Sequence, residues 1–225
     1  MEHPREVAPD GSPVAVFKAL PEGRAPELVA TVTRPGGSVL ELGCGAGRVT
    51  RGLVARGFPV VAVDESADML GHAGGPGVET VEADVFRLDL GRRFDCVLGA
   101  SHLIDSPDPA QRAALLAGCR RHVAADGVII LERYEPAWAR APESGWGKVG
   151  DVEIDVEIHE RRGDSFDATV TYRLGDLTWT QTFTAAAVDD DLLTTEASAA
   201  GLAFDRWLDD RLTWALLRPA PEKPG

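Results

Sequence analysis

The apolar residues fall into two regimes that meet near Gly150. Before it, short apolar runs alternate with stretches whose apolar residues recur every three or four positions. The runs are Ser38–Leu42, Pro59–Val63, Val78–Val81, Phe94–Ala100 and Val128–Leu131. All five read as strands, and the fully apolar Pro59–Val63 as a parallel strand covered on both faces. Between them, helices are expected over Val14–Leu20, from Pro26 through Leu28, Val29 and Val32, and through Val49, Leu53 and Val54. Two more are expected at Ser66–Ala73 and from Asp108-Pro109 to Asp126-Gly127. Repeated strand–helix alternation predicts an α/β fold: a doubly wound, mostly parallel sheet with helices on both faces. The residues before Val14 are rich in proline, glycine and charge, and a poorly ordered start is expected there.

After Gly150 the period becomes two. Val152, Ile154, Val156 and Ile158 alternate with polar residues, as do Phe166, Ala168, Val170 and Tyr172, and then Leu177, Trp179 and Phe183. Gly163-Asp164 and Gly175-Asp176 punctuate them. This predicts a three-stranded antiparallel meander over residues 151–186, inserted into a single domain spanning 1–225. Asp189–Ala200 reads as a helix stopped by Gly201. Phe204–Leu208 and Leu212–Leu217 then complete a seven-stranded main sheet as a final strand pair. The apolar face of the meander must be covered, either as a lid over a ligand or as an interface with a second copy. Monomer and homodimer both stay open.

Composition narrows the partners. Thirty-six acids against 23 Lys and Arg give a net charge of −13, which repels nucleic acid and anionic membranes. No apolar segment reaches the ~20 residues of a membrane span, and the first residues lack the basic-then-apolar layout of a secretion signal. A cytoplasmic protein is expected. Cys44, Cys96 and Cys119 lack metal-ligand spacing and read as reduced thiols; no metal is expected. Asparagine is absent and arginine far outnumbers lysine, as in high-GC bacterial genomes.

The candidate chemistry sits at Glu41-Leu-Gly43-Cys44-Gly45-Ala-Gly47. A buried run leads through three closely spaced glycines into a helix start, where backbone can approach a ligand and free N–H groups are available. The third glycine of a dinucleotide turn would fall at Arg48, yet it is at Gly47. Glu41 adds a negative charge that suits a cationic ligand rather than a phosphate. This segment resembles the first motif of the class I S-adenosylmethionine (SAM) methyltransferases. The resemblance implies that SAM is the cofactor, with its sulfonium and carboxypropyl portions against Glu41, Gly43, Cys44, Gly45 and Gly47. It assigns Asp64, at a strand tip, to the ribose diol, although Asp64 can also cap the next helix. Glu65 and Met69 flank the adenine, Asp84 and Val85 bind its edge, and Ala100 passes the methionine end. The family also implies transfer of a methyl group to N or O of a small-molecule acceptor beneath the insertion.

No metal cluster and no Asn-Pro-Pro-Tyr-like motif accompanies these residues. The candidate bases are His102, just past the fourth strand, and Tyr134, just past the fifth; His159 is expected to be exposed. Two other readings use the same turn. A nicotinamide-dependent oxidoreductase is disfavoured by Glu41, the shifted glycine and the absence of Tyr-x-x-x-Lys. A non-catalytic SAM-binding protein would keep the cofactor residues without needing a base.

Overall fold

The structure, a computed structural model, describes residues 6–221. The first five residues, with His3 and part of the expected poorly ordered start, lie outside the described residues. In chain order the elements are α1 (Val14–Ala19), α2 (Ala25–Val32), β1 (Val39–Leu42), α3 (Arg48–Ala55), β2 (Val60–Asp64), α4 (Ala67–Ala73), β3 (Val78–Glu82) and β4 (Phe94–Gly99). A 3-10 turn (Leu103–Asp105), α5 (Pro109–His122), β5 (Val123–Glu132) and α6 (Pro136–Arg140) follow. Next come β6 (Gly145–Val149), β7 (Val152–Arg162), β8 (Ser165–Leu174) and β9 (Leu177–Ala186). The chain closes with α7 (Asp190–Ala199), β10 (Leu202–Trp207) and β11 (Trp214–Pro219).

The main sheet has the expected seven strands, and their order is β3-β2-β1-β4-β5-β11-β10. Strands β1 to β5 are parallel and β11 runs antiparallel between β5 and β10. Leu40, Val97 and Ile129 face one layer with Leu115 and Leu116 of α5 and Leu193 of α7. Val39, Cys96 and Ile130 face the other, with Leu28 and Val29 of α2, Leu53 of α3 and Leu70 of α4. Two-sided burial is why these strands carry no polar alternation. The reversal of connection direction at β1 and β4 opens a crevice at their carboxyl ends, where such sheets bind ligands.

Two expectations need correction. The insertion has four strands rather than three and begins at Gly145: β6 pairs antiparallel with β7 from Gly145↔Val156 to Val149↔Val152. Strand β6 reads Gly-Trp-Gly-Lys-Val and is mostly exposed at the sheet edge, so burial imposed no alternation on it. The fifth strand also starts at Val123, not Val128, because α5 ends at His122 and Val123 pairs with Phe94 across an irregularity. The described part of the start is ordered as well. Val7 bridges Pro13, and Gln181 Nε2 on β9 donates to Asp10 O at 3.1 Å and Ser12 Oγ at 3.0 Å. Much of the apolar face of the insertion is covered from within the chain. Val16 of α1 packs on Val152, Val170, Tyr172 and Trp179, while Tyr134 and Trp138 pack on Phe166 and Ala185.

The two sheets are joined at Arg133, whose side chain is fully buried. It sits where the chain leaves β5 for the insertion. Its guanidinium donates to Val188 O at 2.7 Å, at the return from the insertion, and to Asp190 Oδ1 at 2.6 Å. A third bond reaches Leu212 O at 2.9 Å, and the group lies 4.0 Å over the Trp207 ring. Replacing Arg133 with Met strands buried carbonyls without donors, each costing ~1–3 kcal/mol. Arg133→Met is expected to lower unfolding stability in urea by about 2–4 kcal/mol. Arg133→Lys should recover only part of it, because an ammonium lacks the planar fork.

Candidate active site

The carboxyl ends of β1, β2, β4 and β5 open into one cavity of about 640 Å³. Its floor is the glycine turn after β1. Gly43, Gly45 and Gly47 all have left-handed φ values of 53–77°. At Gly47, which caps α3, a Cβ would stand 2.6 Å from Ala73 Cα, so no other residue fits. The turn is tied to its neighbour strand by Cys44 N–H to Val63 O at 2.9 Å and by Gly45 N–H to Asp64 Oδ2 at 2.8 Å. Asp64 Oδ1 accepts Ser66 N–H at 3.0 Å, while Ser66 Oγ caps α4 by accepting Met69 N–H. Asp64 therefore holds two backbone segments and still lines the cavity with its remaining lone pairs.

Most of the expected cofactor residues converge here. Glu41, Gly43, Cys44, Gly45, Asp64, Glu65, Met69, Asp84, Val85 and Ala100 all line the cavity; Gly47 shapes the turn beneath it. Glu65 is exposed at the rim and Met69 is buried. Asp84 spends Oδ1 on Phe86 N–H at 2.8 Å, which fixes its own turn. Glu41 is buried and accepts Thr50 Oγ1–H at 2.7 Å. Burial pushes its pKa up to about 7, against the Thr50 hydrogen bond and the charge of Arg48, which lower it. A side-chain-free turn ringed by carboxylates, with Met69 and Val85 as apolar walls, fits a cationic sulfonium nucleoside such as SAM.

At its other end the cavity is walled by His102, Glu132, Tyr134 and Trp138, and by Val156, Val170, Tyr172 and Phe183 of the insertion. His102 and Tyr134, far apart in sequence, stack with ring centres 3.9 Å apart and planes 5° from parallel. Burial drives the Tyr134 phenol well above its ordinary range, so its phenolate is not available near neutrality. Burial of the His102 ring works against its protonation. The adjacent Asp105 carboxylate and the Glu132 charge outweigh it and hold the imidazole above 6.5. Glu132 Oε2 accepts Ser101 N–H at 2.7 Å. His159 lies away from this cavity and contacts Thr169 Oγ1 at 2.8 Å.

Sequence reasoning did not find Asp105, Trp138, Tyr172 or Phe183 as cavity walls. The period-two pattern marked Tyr172 and Phe183 as one-face residues, but not what that face would meet. Among the described residues, no group of three His, Cys, Asp or Glu is placed to hold a metal ion. No helix among them is long and apolar enough to cross a membrane.

Residues 39–127 match the family model described as "Methyltransferase domain". A cypemycin N-terminal methyltransferase from Streptomyces sp is 37% identical over 119 residues, and the match covers 49% of each chain. This chain thus aligns with about half the length of that relative. A SAM-dependent methyltransferase from Clostridium acetobutylicum has the same fold at TM-score 0.73 and 16% identity, with 91% of this chain and 92% of that one covered. A SAM-bound amino pentose methyltransferase from Micromonospora echinaspora, involved in calicheamicin biosynthesis, superposes at TM-score 0.69 and 19% identity, covering 88% and 90%.

Two outcomes are expected for SAM binding. A raised carboxyl pKa stabilises the free folded protein below the unfolded value of 4.5, and that contribution is lost as pH rises through about 7. A bound cation reverses the preference and ionises Glu41. Calorimetry near pH 7 in buffers of different ionisation enthalpy should therefore show release of a fraction of a proton, with affinity rising with pH. Glu41→Gln should abolish that release. Asp64→Ala should weaken SAM by about 1–3 kcal/mol, the worth of hydrogen bonds to a charged group. Unchanged affinity would remove the ribose assignment.

Proposed function

We propose that this chain, which carries a class I SAM-dependent methyltransferase domain, transfers a methyl group to the nitrogen of a small-molecule or peptide-terminal amine. The observation that carries this reading is the single cavity running from the glycine turn to the His102–Tyr134 wall. Cofactor and acceptor can meet in it without crossing solvent. Its charged lining is acidic: Asp10, Glu41, Asp64, Glu65, Asp84, Asp105 and Glu132, against Arg48 and His102. An acceptor bearing carboxylate or phosphate beside the reacting atom would be repelled, whereas an ammonium would be drawn in. The aromatic walls Tyr134, Trp138, Tyr172 and Phe183 suit a cationic amine equally well. The cypemycin and amino pentose relatives, by their names, act on a peptide N-terminus and an amino sugar.

SAM, when bound, supplies the methyl group for an in-line displacement. The chain's own part is alignment, exclusion of water and handling of the acceptor's proton. Glu41, the glycine turn, Asp64, Met69 and Asp84 hold the cofactor. The insertion and the segment at residues 6–13 cover the cavity. His102 is the base: a protonated amine has no lone pair to attack with, and the neutral imidazole takes its proton.

His102→Ala is expected to lower kcat by about 10²-fold or more on amine acceptors below the amine's own pKa, a typical loss for a positioned base. The deficit should shrink as pH rises and the amine arrives neutral, with SAM affinity unchanged. In the parent, kcat/KM should rise with pH through a midpoint above 6.5, because His102 must be neutral. Transfer of labelled methyl to a panel of amino sugars, amino-terminal peptides and their hydroxyl analogues checks both points. Methylation of hydroxyls but not amines would overturn the acceptor class, and absence of SAM binding would overturn the whole reading.

A further inference from the structure

Asp105 is an unusual place for a carboxylate. It is 2% exposed at the end of the 3-10 turn, against the core beneath α5. Burying a carboxylate is costly unless it is paired and hydrogen-bonded. Asp105 Oδ2 accepts Tyr134 N–H at 2.8 Å, and the ion-pair contact the structure gives it is His102 Nδ1 at 3.4 Å. Its Oδ1 and the His102 Nδ1 are both buried without a formed hydrogen bond. The Nδ1 stands 3.4 Å from Oδ2, so the carboxylate faces the buried ring nitrogen that lacks a formed hydrogen bond.

The backbone holds them in that relation. Ser101 and His102 both adopt left-handed φ values, 60° and 63°, a conformation that non-glycine residues take only at a cost. Asp105 N–H donates to His102 O at 2.9 Å, so the three-residue turn brings both side chains to one side. Tyr134 then stacks flat on the imidazole and prevents it from turning over. The same tyrosine's N–H fixes the Asp105 carboxylate, so one residue orients both members of the pair.

We propose that Asp105 is the positioning residue of a His102–Asp105 pair. It holds Nδ1–H against the buried carboxylate and leaves Nε2, with its lone pair, for the acceptor. This rests on the reading of His102 as the base and names what sets its tautomer. In the step, an N–H bond of the acceptor ammonium breaks and its electrons stay on nitrogen. The proton forms a bond to Nε2, and the imidazolium is stabilised by Asp105 until solvent takes the proton; no further reactant is needed. Other charges facing the ring are Glu132 at the end of β5, which favours the imidazolium, and Arg48 of α3, which opposes it. The Tyr134 phenol stays neutral.

The test is nitrogen-15 NMR of the full-length protein, with the His102 signals assigned by their loss in His102→Gln. In the parent, the neutral ring should carry its proton on Nδ1 and titrate above 6.5. Asp105→Asn keeps an oxygen for Tyr134 N–H but removes the charge. It should lower the His102 midpoint, abolish the Nδ1–H preference and reduce kcat on amine acceptors by about 10- to 100-fold, with SAM affinity within twofold. A folded Asp105→Asn with the parent midpoint and tautomer would overturn the pair. If that variant does not fold, the parent spectrum decides: a ring protonated on Nε2 would overturn it as well. Failure of the base reading looks different, because His102→Ala would then retain full turnover while the parent spectrum still showed the pair.

Discussion

The architecture of the site depends on one buried guanidinium. The insertion leaves the main sheet after β5 and returns before α7, and Arg133 bonds across the two points through Val188 O and Asp190. Its chain neighbours Glu132 and Tyr134 both line the cavity. Glu132 reaches Ser101 N–H, and Tyr134 stacks on His102 and donates to Asp105. A lysine could carry the charge, but its compact ammonium lacks the planar fork that here reaches separated acceptors while stacking on Trp207. That clamp acts together with the packing of Val16 on Val152 and Tyr172 and of Tyr134 and Trp138 on Phe166 to set the roof of the cavity over its floor.

Within the cavity, electrostatics divides the labour between two ends. Near the glycine turn, the buried Glu41, its pKa raised to about 7, is partly ionised near neutrality, and a bound cation draws it to full charge. At the other end, the half-buried Glu132 and the buried Asp105 carboxylates face an imidazole instead. Both ends favour positive charge, consistent with the −13 of the whole chain. That global charge steers the class of ligand; the local placement of each carboxylate decides which atom it serves.

The covering of the cavity is built from parts that hold one another in place. The segment at residues 6–13 is held by Gln181, which Tyr172 OH in turn donates to at 3.2 Å. The insertion rests on α1, a helix of six residues that its packing against Val152 and Tyr172 sustains rather than its own length.

The sequence alone determined the parallel sheet, the glycine turn and the carboxylates at its strand tips. Each follows from local rules: two-sided burial erases polar alternation, and left-handed turns at Gly43, Gly45 and Gly47 exclude side chains. It also determined that residues 151–186 form an antiparallel sheet with one apolar face. Strand β6 escaped because an exposed edge with two glycines has no burial to imprint a pattern. The acceptor end was decided only in three dimensions. Tyr134 and His102 stack across thirty-odd residues of chain, and the function of Asp105 depends on a Tyr134 N–H that no spacing announces. The physical reason is that pattern reports burial along one element, whereas a site is a contact between elements whose separation is set by packing.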